Sequence, residues 1–168
     1  MRAGKVRIFI VEDHPLFREG IAQLINNLQS LFLAHEDQFV VTPNFHVFEM
    51  YMPHYNGQSV RTVFTAPEVN FSKTDNNPDK LSGLAGSASL HGKQLIVTAV
   101  NPSITETRET EIMARGAGIK AATATVLSEK DIHARNSFEN PEAVQVKKAE
   151  VRIAGDHAIF TFPPASVV

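Results

Sequence analysis

The fold is decided by residues 87–100, SASLHGKQLIVTAV, in which two runs of strand-forming residues flank a short turn. Ser87–Leu90 and Gln94–Val100 are rich in residues that suit a pleated, half-buried surface, and Gly92 supplies the backbone freedom that a tight turn needs. The pattern therefore predicts a β-hairpin.

Further short strands are predicted on both sides of this hairpin. Gly155-Asp156 separates Val144–Ile153 from His157–Phe162, which predicts another hairpin. The remaining predicted strands are Phe39–Thr42, Asn44–Tyr51, Ser59–Thr65, Thr107–Ala114 and Ile119–Leu127. Many short strands with turns at close spacing favour an all-β antiparallel sandwich of the jelly-roll kind.

The N-terminal part of the chain has a different pattern. Lys5–Val11 predicts a strand, and Pro15 lies where the first turn of a helix is expected. Apolar residues then recur at steps of four and three, which places Phe17, Ile21, Leu24, Leu28 and Leu31 on one face of a helix that runs to about Leu33. We therefore expect a strand–helix appendage over residues 1–37 and a β-sandwich domain over residues 38–168.

Composition excludes several classes of protein. The 168 residues carry a net charge of -2 and no cysteine. Nucleic acid is therefore not an expected partner, and disulfides, thiolate catalysis and cysteine-type zinc sites are excluded. Neither a membrane-spanning run nor an export signal is recognisable, so we expect no membrane partner and a cytoplasmic location.

Clustered oxygen ligands make one loop the best metal candidate. Asp75, Asn77 and Asp79 lie within five positions, and calcium accepts such oxygens in loose geometry. The loop lacks the spacing of an EF-hand, so an ordinary turn is the competing interpretation. No other cofactor is expected.

Histidines and serines give weaker signals of chemistry. His46, Glu49 and His54 resemble a metal or acid/base cluster, but on the predicted strand His46 and Glu49 would point to opposite faces. No serine lies in a G-x-S-x-G motif, although distant residues could still assemble a Ser–His–acid triad. Because the chain has no Trp and two Tyr, we expect carbohydrate binding to be weak or absent.

Three stretches of the chain resemble the C-terminal region of the family fifty-one α-L-arabinofuranosidases. They are LFLAHEDQFVVTPNFHVFEMYMPHYNGQSVRTVFT (31–65), LSGLAGSASLHGKQLIVTAVN (81–101) and NSFENPEAV (136–144). The resemblance implies the family's last barrel helix followed by its C-terminal β-sandwich. It also implies a detached accessory domain, because no position matches the motif around either catalytic glutamate of that family.

A second resemblance concerns the N-terminus. VRIFIVEDHPLFREGIAQLIN (6–26) resembles the start of a response-regulator receiver domain, and EMYMPHYNG (49–57) resembles its phosphoacceptor run, with Glu49 where that family has aspartate. A degenerate receiver and a small, calcium-assisted hydrolase are therefore the alternative functions. Since the resemblance implies a sandwich without its barrel, the apolar helix face should cover part of the sandwich, and we expect a homodimer.

Overall fold

The structure, a computed structural model, describes residues 30–70 and 80–168. These residues form short strands and one α-helix, joined by turns. The helical elements are α1 (Pro43–Tyr51) and a 3₁₀ turn (Met52–His54). The strands are β1 (Phe32–His35), β2 (Gln38–Val41), β3 (Gln58–Val60), β4 (Val69–Asn70), β5 (Lys80–Leu81), β6 (Ala85–His91), β7 (Gln94–Asn101), β8 (Arg108–Ile112), β9 (Ala124–Leu127), β10 (Val146–Ala149), β11 (Arg152–Ala154), β12 (His157–Phe162) and β13 (Ser166–Val167).

Two sheets build the sandwich. The larger has six strands in the order β10-β9-β13-β7-β6-β3, and the smaller has three in the order β11-β12-β8. The hairpins β1-β2 and β4-β5 form separate two-stranded sheets. Every described strand pair is antiparallel. The predicted all-β sandwich is confirmed. Neither helical element of the described residues is long and apolar enough to cross a membrane.

The core lies between the two sheets. Along β12 the buried residues alternate, so that Phe160 and Phe162 share one face and their rings meet edge to face at 4.9 Å. They pack with Leu84 and with Ala99 and Val126 of the six-stranded sheet. Each large apolar side chain buried here stabilises the fold by about 1.5–3 kcal/mol.

Both predicted hairpins are confirmed. His91 pairs with Gln94, which leaves Gly92 and Lys93 as the turn between β6 and β7. Ala154 pairs with His157, and the turn between β11 and β12 begins at Gly155. Both turn glycines have positive φ, 59° at Gly92 and 65° at Gly155. Residues that carry a Cβ rarely adopt this backbone conformation.

The predicted helix end at Leu33 is wrong. Phe32–His35 is strand β1, which pairs antiparallel with β2 through Phe32–Val41 and Ala34–Phe39. A short apolar run fits a strand as well as a helix. The pairing with β2 therefore decides that these residues form a strand. Residues 1–29, which carry the rest of the predicted appendage and the receiver-like start, lie outside the described residues. The predicted domain boundary between residues 37 and 38 stays a prediction. It falls in the turn of the β1-β2 hairpin.

The prediction of a strand over Asn44–Tyr51 is also wrong, because Pro43–Tyr51 is helix α1. Aromatic and β-branched residues favour strands only weakly, and tertiary contacts override that preference. Pro43 occupies the first turn, where its missing N–H is not needed. Phe45 then packs on Phe32 of the hairpin, with 5.2 Å between the two ring centroids. The spacing of Phe48, Met52 and Tyr55 is helical and was the available signal.

The predicted strand over Val144–Ile153 is divided between the two sheets. β10 pairs with β9 in the six-stranded sheet, whereas β11 pairs with β12 in the smaller one. The chain crosses from one sheet to the other at Glu150 and Val151, and Val151 packs against the core. The apolar pattern runs through this crossing and therefore does not reveal it.

Asn101 connects the ends of several segments. It is 0% exposed at the end of β7. Its amide nitrogen donates to the carbonyl oxygens of Glu106 and Pro163, both at 2.8 Å, and lies 3.4 Å from that of Phe162. Its Oδ1 accepts the Ser103 amide at 3.1 Å. One side chain thus pairs the backbone groups of two loops that would otherwise be buried without partners.

We predict that Asn101→Ala destabilises the protein by about 3 kcal/mol or more, because several buried backbone groups lose their partner. Urea unfolding followed by circular dichroism measures this. The matched control is Asn140→Ala, at an exposed position where the backbone, not the side chain, pairs with Ser137. Equal stability of the two variants would contradict the role given to Asn101.

Candidate functional site

The sequence-predicted residues His46, Glu49 and His54 lie on α1 and the 3₁₀ turn that follows it. The helix places His46 and Glu49 on the same side, three residues apart, which corrects the expectation that they point to opposite faces. His46 Nδ1 lies 3.6 Å from Glu49 Oε2, too far for a hydrogen bond. Glu49 is exposed, so this pair is a weak surface contact. His54 belongs to a different environment.

His54 fastens the 3₁₀ turn to the six-stranded sheet. Its Nδ1 lies 2.8 Å from Ser89 Oγ on β6, and its Nε2 lies 2.6 Å from Thr98 Oγ1 on β7. A neutral imidazole donates from one nitrogen and accepts at the other, and a hydroxyl can do either, so both contacts are satisfied together. The ring of Tyr51 lies 5.8 Å away. We call His54, Ser89 and Thr98 the histidine clamp.

A second histidine lies beside the clamp. His91 Nε2 is buried without a hydrogen-bond partner. It faces Gly57, where an added Cβ would overlap that nitrogen. Glycine at 57 therefore lets the chain turn from the 3₁₀ turn into β3 directly against the His91 ring.

Burial and the neighbouring His91 both lower the pKa of His54 below its ordinary value of 6.5. Both causes disfavour the imidazolium, the first by removing water and the second by charge repulsion. The structure therefore holds His54 neutral near pH 7.

The clamp brings a serine and a histidine together, as the sequence left open, but not as a catalytic triad. The partner of His54 Nε2 is the hydroxyl of Thr98, where a triad has a carboxylate. Ser89 is buried, so its oxygen cannot reach a substrate. The arrangement is suited to positioning α1 and not to nucleophilic catalysis.

Asn136 is a second positioning residue, and this role was not predicted from the NSFENPEAV motif that contains it. It is buried, donates to the carbonyl oxygens of Val41 and Val144 at 2.9 and 3.1 Å, and accepts the Val144 amide at 2.7 Å. It closes the NSFENPEAV loop and ties it to the end of β2. The available signal was that an asparagine side chain can pair two backbone groups at once.

The described surface carries two shallow depressions. One, of about 430 Å³, is lined by Met113–Gly118 and Asp156. The other, of about 200 Å³, lies beside the start of α1 and carries the carboxylates Glu129 and Asp131. No site was predicted from the sequence at either depression.

The proposed calcium ligands Asp75, Asn77 and Asp79 lie outside the described residues, so calcium binding there stays a prediction. Within residues 30–70 and 80–168, no three His, Asp or Glu side chains lie close enough together to hold a metal ion.

We predict that the protein loses stability as the pH falls through about 6.5, because the pKa of His54 is lower in the folded than in the unfolded chain. Below that pH the unfolded chain binds more protons, so the free energy of unfolding decreases. Melting temperatures at about pH 7.5 and 5.5 measure the change. His54→Asn should reduce the difference, whereas His133→Asn, in an exposed loop, should preserve it. An unchanged difference in His54→Asn would contradict the prediction.

Known proteins match most of this chain. The family model of the α-L-arabinofuranosidase C-terminal domain matches residues 19–166. An intracellular exo-α-L-arabinofuranosidase of Bacteroides ovatus is 28% identical over 150 residues, which are 89% of this chain and 29% of that protein. The chain thus spans less than a third of the length of this curated relative.

Solved structures agree with the family match. The GH51 arabinofuranosidase of Xanthomonas axonopodis pv. citri superposes with a TM-score of 0.77 over 84% of this chain and 28% of its own, and at 22% identity this likeness concerns the fold. The α-L-arabinofuranosidase of Thermotoga maritima superposes with a TM-score of 0.69 at 25% identity, over 82% of this chain and 30% of its own. With a family model that spans residues 19–166 and a matching fold, this chain belongs to the α-L-arabinofuranosidase C-terminal domain family.

Proposed function

We propose that this chain acts as a non-catalytic, glycosidase-type β-sandwich domain with no glycosidase activity of its own. The observation that carries this proposal is that the chain matches only one part of its relatives. The match covers 89% of this chain but 29% of the Bacteroides ovatus enzyme, and the matching family is named for the C-terminal domain.

The described carboxylates support this proposal. A retaining glycosidase needs a carboxylic acid with a raised pKa beside a second carboxylate about 5–5.5 Å away. The hydrogen bond from the Lys130 amide, followed by Lys147, lowers the pKa of Glu129. The hydrogen bond with Ser137 lowers the pKa of Glu139. Both carboxyls are therefore ionised near neutral pH and are unsuited to donate a proton to a leaving group.

A small hydrolase remains the enzyme alternative, and one feature gives it a location. Glu129 and Asp131 line the depression of about 200 Å³. Both are already engaged, since Glu129 lies 3.4 Å from Lys147 Nζ and Asp131 accepts the His133 amide. A calcium ion in the Asp75–Asp79 loop would be the metal for such an enzyme.

The receiver alternative is disfavoured over the described residues. A receiver requires a parallel sheet with its phosphoacceptor at a strand end. The described sheets are antiparallel, and Glu49 lies inside α1. The receiver-like residues 6–26 are outside the described part of the chain.

A cytoplasmic location is part of the proposal. The curated relative from Bacteroides ovatus is described as intracellular, which supports this location.

We also propose that the protein forms a symmetric homodimer. Large apolar side chains outside α1 remain exposed, among them Val63 and Met113. Such residues become energetically favourable contacts when a second copy covers them, and two-fold dimers are the commonest closed assembly.

We predict no turnover of aryl α-L-arabinofuranosides above the buffer rate, with or without calcium, because no position of the sequence resembles the motif around either catalytic glutamate of the family, and a retaining glycosidase needs both. Release of the aryl alcohol by purified protein measures this, with a complete arabinofuranosidase as the positive control. Sustained turnover that disappears in Glu129→Gln or Asp131→Asn would replace the proposal with the hydrolase alternative.

We predict a dimeric mass by light scattering at tens of micromolar, and a lower mass or melting temperature for Leu24→Asp. Leu24 lies on the apolar face of the helix that the sequence predicts. A carboxylate on a face that is covered on folding or association is costly to desolvate, so the variant should lose one or the other. A monomeric wild-type protein, or a Leu24→Asp variant that is unchanged in both measurements, would contradict this prediction.

A further inference from the structure

A β-turn over residues 54–57 connects the 3₁₀ turn to β3. The Gly57 amide donates to the carbonyl oxygen of His54 at 3.0 Å. Tyr55 has a φ of -60° and a ψ of 132°, and Asn56 follows with a φ of 61°. These values correspond to a type II turn, whose third position requires positive φ and therefore favours glycine or asparagine. We call residues 54–57 the type II turn.

Both ends of the type II turn are held on the six-stranded sheet. The ring of His54, at its first position, bonds to the hydroxyls of Ser89 and Thr98 in the histidine clamp. Gly57, at its last position, lies so close to the His91 ring that a Cβ would overlap it. The contacts at the two ends therefore oppose opening of the turn.

The third and fourth residues of this turn form a chemically reactive pair. Asn56 precedes Gly57, and the sequence has no other asparagine followed by glycine. In such a pair the next amide nitrogen can attack the side-chain carbonyl carbon of asparagine, and glycine has no Cβ to obstruct the approach. Asn56 is exposed to water, which the reaction consumes. Because the His91 ring requires glycine at position 57, the fold retains the reactive pair.

We propose that Asn56 is a site of spontaneous deamidation and that the histidine clamp holds this reaction back. The Gly57 nitrogen forms a bond to Asn56 Cγ, the bond from Cγ to Nδ2 breaks, and ammonia leaves with the proton of the Gly57 amide. The product is a five-membered succinimide. Water then opens the ring at Cγ, which gives aspartate, or at the main-chain carbonyl carbon, which gives isoaspartate. No oxidant, reductant or metal takes part.

The type II turn opposes the first step. The Gly57 amide proton that must leave is donated to the His54 carbonyl oxygen. The peptide held by this hydrogen bond has its nitrogen turned away from the Asn56 side chain, so ring closure requires that the peptide rotate and the bond break. The rate of deamidation therefore follows the fraction of molecules in which the turn is open.

The two products differ in their effect on the clamp. Aspartate tolerates the left-handed conformation of position 56, so the turn is retained. Isoaspartate places an additional carbon atom in the main chain between positions 56 and 57. The hydrogen bond between Gly57 and His54 is then lost, and the 3₁₀ turn with α1 is held less firmly on β6 and β7.

Mass spectrometry of peptides tests the proposal. The protein is incubated in mildly alkaline buffer, folded or in urea, and deamidation of Asn56 is followed in both samples. We expect the folded protein to react at least about tenfold more slowly, because the closed turn is unreactive. Thr98→Val removes the hydroxyl that bonds to His54 Nε2, and the folded variant should react at least about threefold faster than the wild type. Thr161→Val, at an exposed position of β12, should react as the wild type does.

Asn136 is the internal control for unfolding of the whole domain. It precedes Ser137, and its buried amide bonds to Val41 and Val144 and not to the clamp. Its deamidation should be the same in Thr98→Val as in the wild type. Ser89→Ala, which removes the other hydroxyl of the clamp, is measured in parallel and replaces Thr98→Val if circular dichroism shows that variant to be unfolded.

Several outcomes overturn the proposal. They are equal rates in the folded and the urea-treated protein, and no reaction of Asn56 in urea. A folded clamp variant that reacts as slowly as the wild type also overturns it, as does one in which Asn136 is accelerated as much as Asn56. None of these results bears on the absence of glycosidase activity, which the turnover assay tests by itself.

The isoaspartyl protein gives a second measurement that does not depend on clamp variants. Isolated by ion exchange, it should exchange the amides of residues 43–51 with deuterium at least about tenfold faster than Asn56→Asp. That variant is the matched control, because it carries the same charge on a main chain of normal length. Equal exchange in the two proteins overturns the proposal.

Discussion

The sandwich depends on the pairing of backbone groups where its strands end, and the side chain of Asn101 pairs several of them at once. Strand β7 is central in the six-stranded sheet, and the chain leaves it towards β8 of the other sheet. At this crossing the carbonyl oxygens of Glu106 and Pro163 and the Ser103 amide all bond to Asn101. Without these bonds, buried polar groups would oppose the apolar packing of Phe160 and Phe162.

Two other segments are held to the sheets or to the hairpin in the same way. Asn136 holds the loop before β10 to the end of β2. His54 holds the 3₁₀ turn to the hydroxyls of Ser89 and Thr98. Each of these polar side chains is buried or half-buried, and each satisfies two partners. Polar contacts therefore set the positions of the segments, while apolar burial supplies most of the stability.

These contacts have a functional consequence for the outer surface. Phe45 packs on the hairpin and His54 bonds to the sheet, while Phe48 and Met52 remain exposed on α1 and the turn that follows it. The described charged groups are engaged in hydrogen bonds or lie in solvent, and those with displaced pKa values are displaced away from acid catalysis. These two carboxylates agree with the proposed role as a non-catalytic domain.

The sequence by itself determined the hairpin of residues 87–100 and the sandwich, because strand-forming runs and turn glycines are local signals. It indicated the family through the resemblance of residues 31–65, 81–101 and 136–144. It did not determine the state of Phe32–His35 or Pro43–Tyr51, since short apolar and aromatic runs fit both a strand and a helix. The tertiary structure decided both, by pairing β1 with β2 and by packing Phe45 on Phe32. It also decided the partners of His54, because Ser89 and Thr98 are distant in sequence and only the folded sheet brings their hydroxyls to one ring.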